Sequence, residues 1–206
     1  MRLTPRRLLL ASALTLPALR AMAAVDAVRA SSFIQTTGNE LVTAINASST
    51  PPQRRERVAA ILRRAVDIDG VGRFILGRWT RTATPAELAD YHKLFEESLI
   101  RNLSARFGEY QGVKFTLGRS QPNTDDDIMV GTTIERPNTA AFTLDWRVGE
   151  VGGGPKVVDV IAEGTSLRLT QRSEYSSVIQ RNNGQVSALL AAMRQQIAQM
   201  VAAERS

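Results

Sequence analysis

The chain has 206 residues, with 26 Lys and Arg against 20 Asp and Glu, one histidine and no cysteine. That inventory excludes disulfide scaffolds, cysteine-ligated metal centres and any mechanism or metal site that needs two histidines. Arg2, Arg6 and Arg7 precede an apolar run from Leu8 to Leu19, and Ala21-Met22-Ala23 follows as a small-x-small cleavage site. Residues 1–23 therefore read as a signal peptide, and the apolar run, broken by Pro17, is too short for a membrane span. Pro5 stands before the Arg6-Arg7 pair where twin-arginine leaders carry Ser or Thr, so the general secretory route is expected. Four arginines fall in this segment, which leaves 22 basic against 20 acidic residues over 24–206, a net charge of +2. The whole-chain charge thus gives no argument for nucleic acid. The remaining 183 residues suit one soluble, monomeric domain in an oxidising compartment.

In chain order, Ile34, Leu41 and Ile45 fall on one face of a first helix. Thr50-Pro51-Pro52 caps a second, whose buried stripe is Val58, Ile61, Leu62 and Ala65. Asp67 or Asp69 starts a short third helix with Val71, Phe74 and Ile75, stopped near Gly77. Thr84-Pro85-Ala86-Glu87 is a capping box, opening a helix with Leu88, Tyr91, Phe95, Leu99 and Leu103 inward, to about Phe107. The period then changes to two. Lys114 to Arg119 reads as a strand; Ile128, Val130, Thr132 and Ile134 alternate with polar or small neighbours; Ala140, Phe142, Leu144, Trp146 and Val148 point one way. Gly152-Gly153-Gly154-Pro155 is a turn into a strand from Lys156 to Ala162. A short helix with Tyr175, Val178 and Ile179 ends at Asn182-Asn183-Gly184, and a terminal helix carries Val186, Leu189, Leu190, Met193, Ile197 and Met200. Helices, then about four antiparallel strands, then helices make an α+β domain with helices packed on one face of a curved sheet. Such a layer pair can enclose a ligand cavity.

Chemistry-bearing residues are few. His92, at the edge of its helical stripe and four residues before Glu96, is expected to be solvated or to cap. No G-x-S-x-G elbow occurs. Asp125-Asp126-Asp127 lacks the spaced ligands of a calcium loop and reads as a solvated turn. Arg54, Arg55, Arg57, Arg63 and Arg64 make a basic helix, either a solvated face or a docking surface for a partner or an anionic membrane. Against this, Phe74, Leu76, Trp79, Tyr91, Phe95, Phe142, Leu144 and Trp146 all take inward positions. Periodicity does not separate a filled core from a lined cavity.

The stretch Val66–Thr84, VDIDGVGRFILGRWTRTAT, continued by PAELADYHKLFEESLIRNLSARFGEY, resembles the MlaC family. So does VVDVIAEGTSLRLTQRSEYSSVIQRNNGQVSALLAAMR from Val157 to Arg194, with the aromatic strand FTLDWR between them. These are periplasmic phospholipid-binding components of an outer-membrane lipid-asymmetry, or toluene-tolerance, transport system. The resemblance implies an NTF2-like fold whose lipid cargo lays its acyl chains between sheet and helices, with the headgroup at the mouth. It implies a soluble shuttle with no catalytic residues, no cofactor and no metal. Its partners would be an inner-membrane ABC transporter with an MCE-domain subunit and an outer-membrane lipoprotein–porin complex. The physics agrees. At about 0.8 kcal/mol per methylene, exposing roughly 30 methylenes of a diacyl lipid to water costs on the order of 24 kcal/mol, so a carrier must cover the chains. The expected wall is Phe74, Leu76, Trp79, Tyr91, Phe95, Phe142, Leu144, Trp146, Val160 and Ile161. Val160 and Ile161 are strand neighbours, so only one of them can face a cavity on a simple sheet. A hopanoid cargo, an enzyme on the same fold, and an envelope lipid sensor or scaffold are the alternatives.

Overall fold

The computed structural model describes residues 25–47, 50–108, 112–137 and 139–204; residues 1–23, expected to be a signal peptide, lie outside the described residues. The helices are α1 (Ala27–Ala47), α2 (Pro51–Ala65), α3 (Ile68–Leu76), α4 (Pro85–Gly108), α5 (Leu167–Arg181) and α6 (Val186–Ala203), with a 3-10 turn over Gly77–Arg81. The strands β1 (Lys114–Pro122), β2 (Asp127–Arg136), β3 (Thr139–Val151), β4 (Gly154–Ala162) and β5 (Thr165–Ser166) form one antiparallel sheet in sequential order.

Local chemistry sets the helix ends. Thr50 Oγ1 accepts from the Gln53 amide ahead of two prolines whose missing N–H groups need no partner there. Asp67, not Asp69, caps α3, accepting from the Gly70 amide at 3.0 Å. At α4, the Glu87 amide donates to Thr84 Oγ1 at 3.2 Å while the Thr84 amide donates to Glu87 Oε2 at 2.9 Å, the reciprocal pair of a capping box. α5 is longer than Tyr175, Val178 and Ile179 suggest. It begins at Leu167 because Ser166 caps it and Asp159 takes the Arg168 amide at 3.2 Å, a contact from a strand that helical periodicity cannot report.

Alternation places Ile128, Val130, Thr132 and Ile134 opposite Val148, Trp146, Leu144 and Phe142, so these share the apolar face. Three irregularities bend the sheet: β1 carries an extra residue between Leu117 and Ser120, β3 one between Thr139 and Phe142, opposite the Ile134–Arg136 step, and β4 one at Val158, opposite the Arg147–Val148 step. The β4 bulge puts Val157 (paired with Val148) and Val160 (paired with Trp146) on the same face although they are three apart. Ile161 pairs with Asp145 and lies on the opposite face, so of the two neighbours Val160 alone joins the apolar row.

The core is several clusters. α1 packs on β1 and β2 through Ala30 and Ile34 against Ile128, Val130 and Val148, and through Ile45 against Val113 and Ile134. Gly38 permits the approach, since a Cβ there would stand 2.7 Å from the Phe115 ring. α1, α2 and α4 join through Leu41, Val58, Leu62 and Ile100. A separate helical core of α3, α4, α5 and α6 centres on Tyr91, Ile179, Leu189 and Met193. The basic face of α2 is partly a salt-bridged seam: Arg55 pairs with Glu204, Arg63 with Glu96 and Arg64 with Glu40. His92 stands half-exposed, with Nδ1 3.6 Å from Asp69 Oδ1, as a surface residue would.

The aspartate run departs from a solvated turn at its last member. Asp127 is buried and opens β2, accepting from Asn123 Nδ2 at 2.7 Å, from Thr124 Oγ1 at 2.9 Å and from the Arg147 guanidinium. Arg147 faces Asp127 from the neighbouring strand, a cross-strand partner that sequence spacing does not show. Burial works against the charge, but these donors outweigh it and hold the carboxyl below its ordinary range. Because the folded-state value is depressed, the stabilisation is present above the unfolded carboxyl's titration and is lost as pH falls through the folded value. Asp127→Asn is expected to cost about 2 kcal/mol at neutral pH. In urea melts between pH 7 and pH 2, the gap from wild type should stay constant down to about pH 5 and shrink below it.

Candidate lipid-binding face

The ten sequence-derived wall residues fall into groups. Leu76, Tyr91 and Phe95 are buried in the helical core, with Phe74 and Trp79 at its rim. Phe142, Leu144, Trp146 and Val160 lie together on the apolar face of the sheet, and Ile161 lies on the other face.

In the helical core, Tyr91 stacks on Phe95 at 5.8 Å and meets Tyr175 edge-on at 6.3 Å. Its hydroxyl donates to the Gly72 carbonyl at 2.9 Å. Burial pushes the Tyr91 phenol far above its ordinary value, and burial with the nearby Glu174 charge pushes Tyr175 up to about 12. Neither phenol can serve as an acid or base near neutrality. Trp79 Nε1 donates to Ser176 Oγ at 3.2 Å, and the Arg168 guanidinium carbon stands 4.2 Å from the centroid of the Phe74 ring. These residues are engaged with one another.

The sheet face differs. Val130 and Val148, under α1, are fully buried, but Phe142, Leu144, Trp146 and Val160, further along β3 and β4, are only half-buried. α1 lies over β1 and β2, α2 and α3 reach β4 near the Val66–Val157 bridge, and α4 packs chiefly on α2 and α6. The polar atoms in this row are satisfied internally. Trp146 Nε1 donates to Thr132 Oγ1 at 2.8 Å, and Thr132 Oγ1 donates to the Leu144 carbonyl at 3.0 Å. The face therefore presents carbon and asks for no specific polar partner, which suits a long apolar ligand of variable length.

Among the described residues there is no cluster of acids and histidine able to hold a metal, and no helix is long and apolar enough to cross a membrane. Sequence reasoning missed the arginine and serine side chains between the 3-10 turn and α5. Arg78 lies far along the chain from Arg172 and Ser176, which are one turn apart on α5, and it meets them only through packing of α3 on α5.

The described residues form an α+β domain whose antiparallel sheet carries a half-covered apolar face, a class of fold that can seat an apolar ligand between sheet and helices. Residues 35–195 match the family model described as MlaC protein, and the chain belongs to that family. The toluene tolerance protein ttg2D of Pseudomonas putida is 25% identical over 155 residues, 72% of each chain. A phospholipid-binding protein from Ralstonia solanacearum, solved in complex with a phospholipid, shares the fold with a TM-score of 0.73 at 21% identity; the match covers 84% of this chain and 98% of that one.

Tyr91→Phe tests whether the helical core is plain packing. It removes the side-chain donor to the Gly72 carbonyl, leaving only that carbonyl's helical partner, and is expected to cost about 1 kcal/mol in denaturant unfolding. Lipid content per folded protein should stay at the wild-type level.

Proposed function

We propose that this protein binds a glycerophospholipid through the apolar face of β3 and β4 and carries it, as a soluble periplasmic shuttle, between membrane complexes. The observation that carries this reading is the half-buried row Phe142, Leu144, Trp146 and Val160, continuous with the buried Val130, Val148 and Val157 of the same face. Membership of the MlaC family and the bound phospholipid of the similar Ralstonia structure support it. The partners that family membership suggests are an ABC transporter's MCE-domain subunit at the inner membrane and a lipoprotein–porin complex at the outer membrane. The chain's own part is to cover acyl methylenes, each worth about 0.8 kcal/mol when removed from water, and to release them by an equally non-directional route. No residue is assigned to catalysis. The phenols are held neutral and the one histidine lies at the surface beside Asp69.

Organic extracts of the protein purified after export, analysed by mass spectrometry, are expected to contain about one glycerophospholipid per chain. Leu144→Arg, which puts a charge into the row, is expected to lower that occupancy at least tenfold while far-UV circular dichroism stays native. A folded wild-type protein without lipid, or full occupancy in Leu144→Arg, would overturn the assignment.

A further inference from the structure

A hollow of about 260 Å³ opens between the 3-10 turn and α5. Its apolar lining is Ile75, Leu76 and the Trp79 ring; its polar lining is Arg78, Arg172, Ser176 and Gln180. No carboxylate lines it, nor the adjoining hollow that shares Arg172 and Ser176. Each guanidinium rests on an aromatic ring, Arg78 Cζ at 4.6 Å from the Trp79 centroid and Arg172 Cζ at 4.9 Å from that of Phe74. A ring face steadies the cation and leaves its in-plane N–H fork free to donate. Gly77, at φ +57, makes the room for Arg172: a Cβ there would stand 3.1 Å from its Cζ. Asp90 pairs with Arg194, Asp159 with Arg168 and Glu174 with Gln171, and no ion pair among the described residues includes Arg78 or Arg172. Ser176 Oγ accepts from Trp79 Nε1 at 3.2 Å and from Gln180 Nε2 at 2.9 Å, so both its lone pairs are used and its own proton can only be donated.

Two guanidinium groups without an ion-pair partner and a serine hydroxyl thus line a space bordered by no carboxylate. We infer that this hollow is a binding site for a phosphate group, specifically the phosphodiester of a lipid headgroup. Planar forks match phosphate oxygens in charge-assisted, bidentate hydrogen bonds. The wall of Ile75, Leu76 and Trp79 suits the ester carbons that inorganic phosphate lacks. The assignment to lipid rests on the phospholipid-binding reading, but the hollow shares no residue with the half-buried row on the sheet. It gives the headgroup a specific partner where the sequence suggested a headgroup left in water.

The chain's two tryptophans report on the two places separately. The Trp79 indole N–H points into this site's hydrogen-bond network and the Trp146 indole N–H into that of the sheet face. The test is a titration of ¹⁵N-labelled full-length exported protein, read at the indole signals, with glycerophosphoglycerol (a phosphodiester without acyl chains) and, in parallel, inorganic phosphate. Glycerophosphoglycerol is expected to shift the Trp79 signal saturably and leave Trp146 in place. In the Arg78→Gln/Arg172→Gln variant its Kd should rise at least tenfold, an unmoved Trp146 signal showing that the variant is folded. Arg172→Lys, which keeps the charge and loses the fork, should fall between. A Trp79 signal that does not respond, or responds equally in the double variant, overturns the site. Inorganic phosphate binding tenfold tighter than the diester overturns the lipid assignment in favour of a free-anion site. The protein is stripped of co-purified lipid before the titration, so that no bound headgroup occupies the hollow, and because the probe has no acyl chains the outcome does not depend on whether the sheet row binds lipid.

Discussion

α1 meets the sheet where Gly38 lets the Phe115 ring close against the helix backbone, and the reach of that one helix decides what the sheet can do. α1 buries the middle of the apolar face, Ile128 and Val130 of β2, Val148 of β3 and Val157 of β4, while α2 and α3 come to β4 near the Val66–Val157 bridge. The apolar row on β3 and β4 is left half-covered, while the helical core beyond it is filled by its own Tyr91, Ile179 and Leu189. Apolar surface that is neither sealed nor fully exposed is what a carrier of acyl chains requires. Full burial would leave no room for cargo, and full exposure would favour aggregation.

The polar atoms follow the same division. On the sheet face, Trp146, Thr132 and the Leu144 carbonyl satisfy one another, so a ligand there meets only non-directional contact. On the opposite face, Arg147 binds Asp127 and approaches Asp159, which in turn holds Ser166 and the Arg168 amide, tying β2, β3, β4 and the start of α5 together. The back of the sheet is thus tied by polar contacts, while its front makes apolar ones, to α1 and along the half-buried row.

The helix starts were legible because their causes are local. The Thr84–Glu87 box, the Thr50-Pro51-Pro52 cap and the strand alternation from Phe142 to Val148 need only neighbouring residues. What was not legible depended on tertiary pairing. Alternation could not choose between Val160 and Ile161, because the bulge at Val158 resets the phase of β4 and only the partners on β3 reveal it. Asp127 looked like a turn residue because its counter-ion, Arg147, lies on the next strand. Inward spacing grouped Tyr91 and Phe95 with Leu144 and Trp146, since periodicity reports that a side chain faces inward and not which core it enters. The pairing of Arg78 with Arg172 around Ser176 was likewise invisible along the chain.

The central claim is that the open row on β3 and β4 is the surface that touches the acyl chains. Site-specific photo-crosslinking tests it most directly. A benzophenone side chain is placed at position 144, on the apolar face, or at position 143, one residue along on the opposite face, and the protein is irradiated after export into a lipid-containing envelope. The account predicts phospholipid covalently attached at 144 and little or none at 143. Crosslinking at 143 in preference to 144, or at neither position in a folded protein, would contradict it.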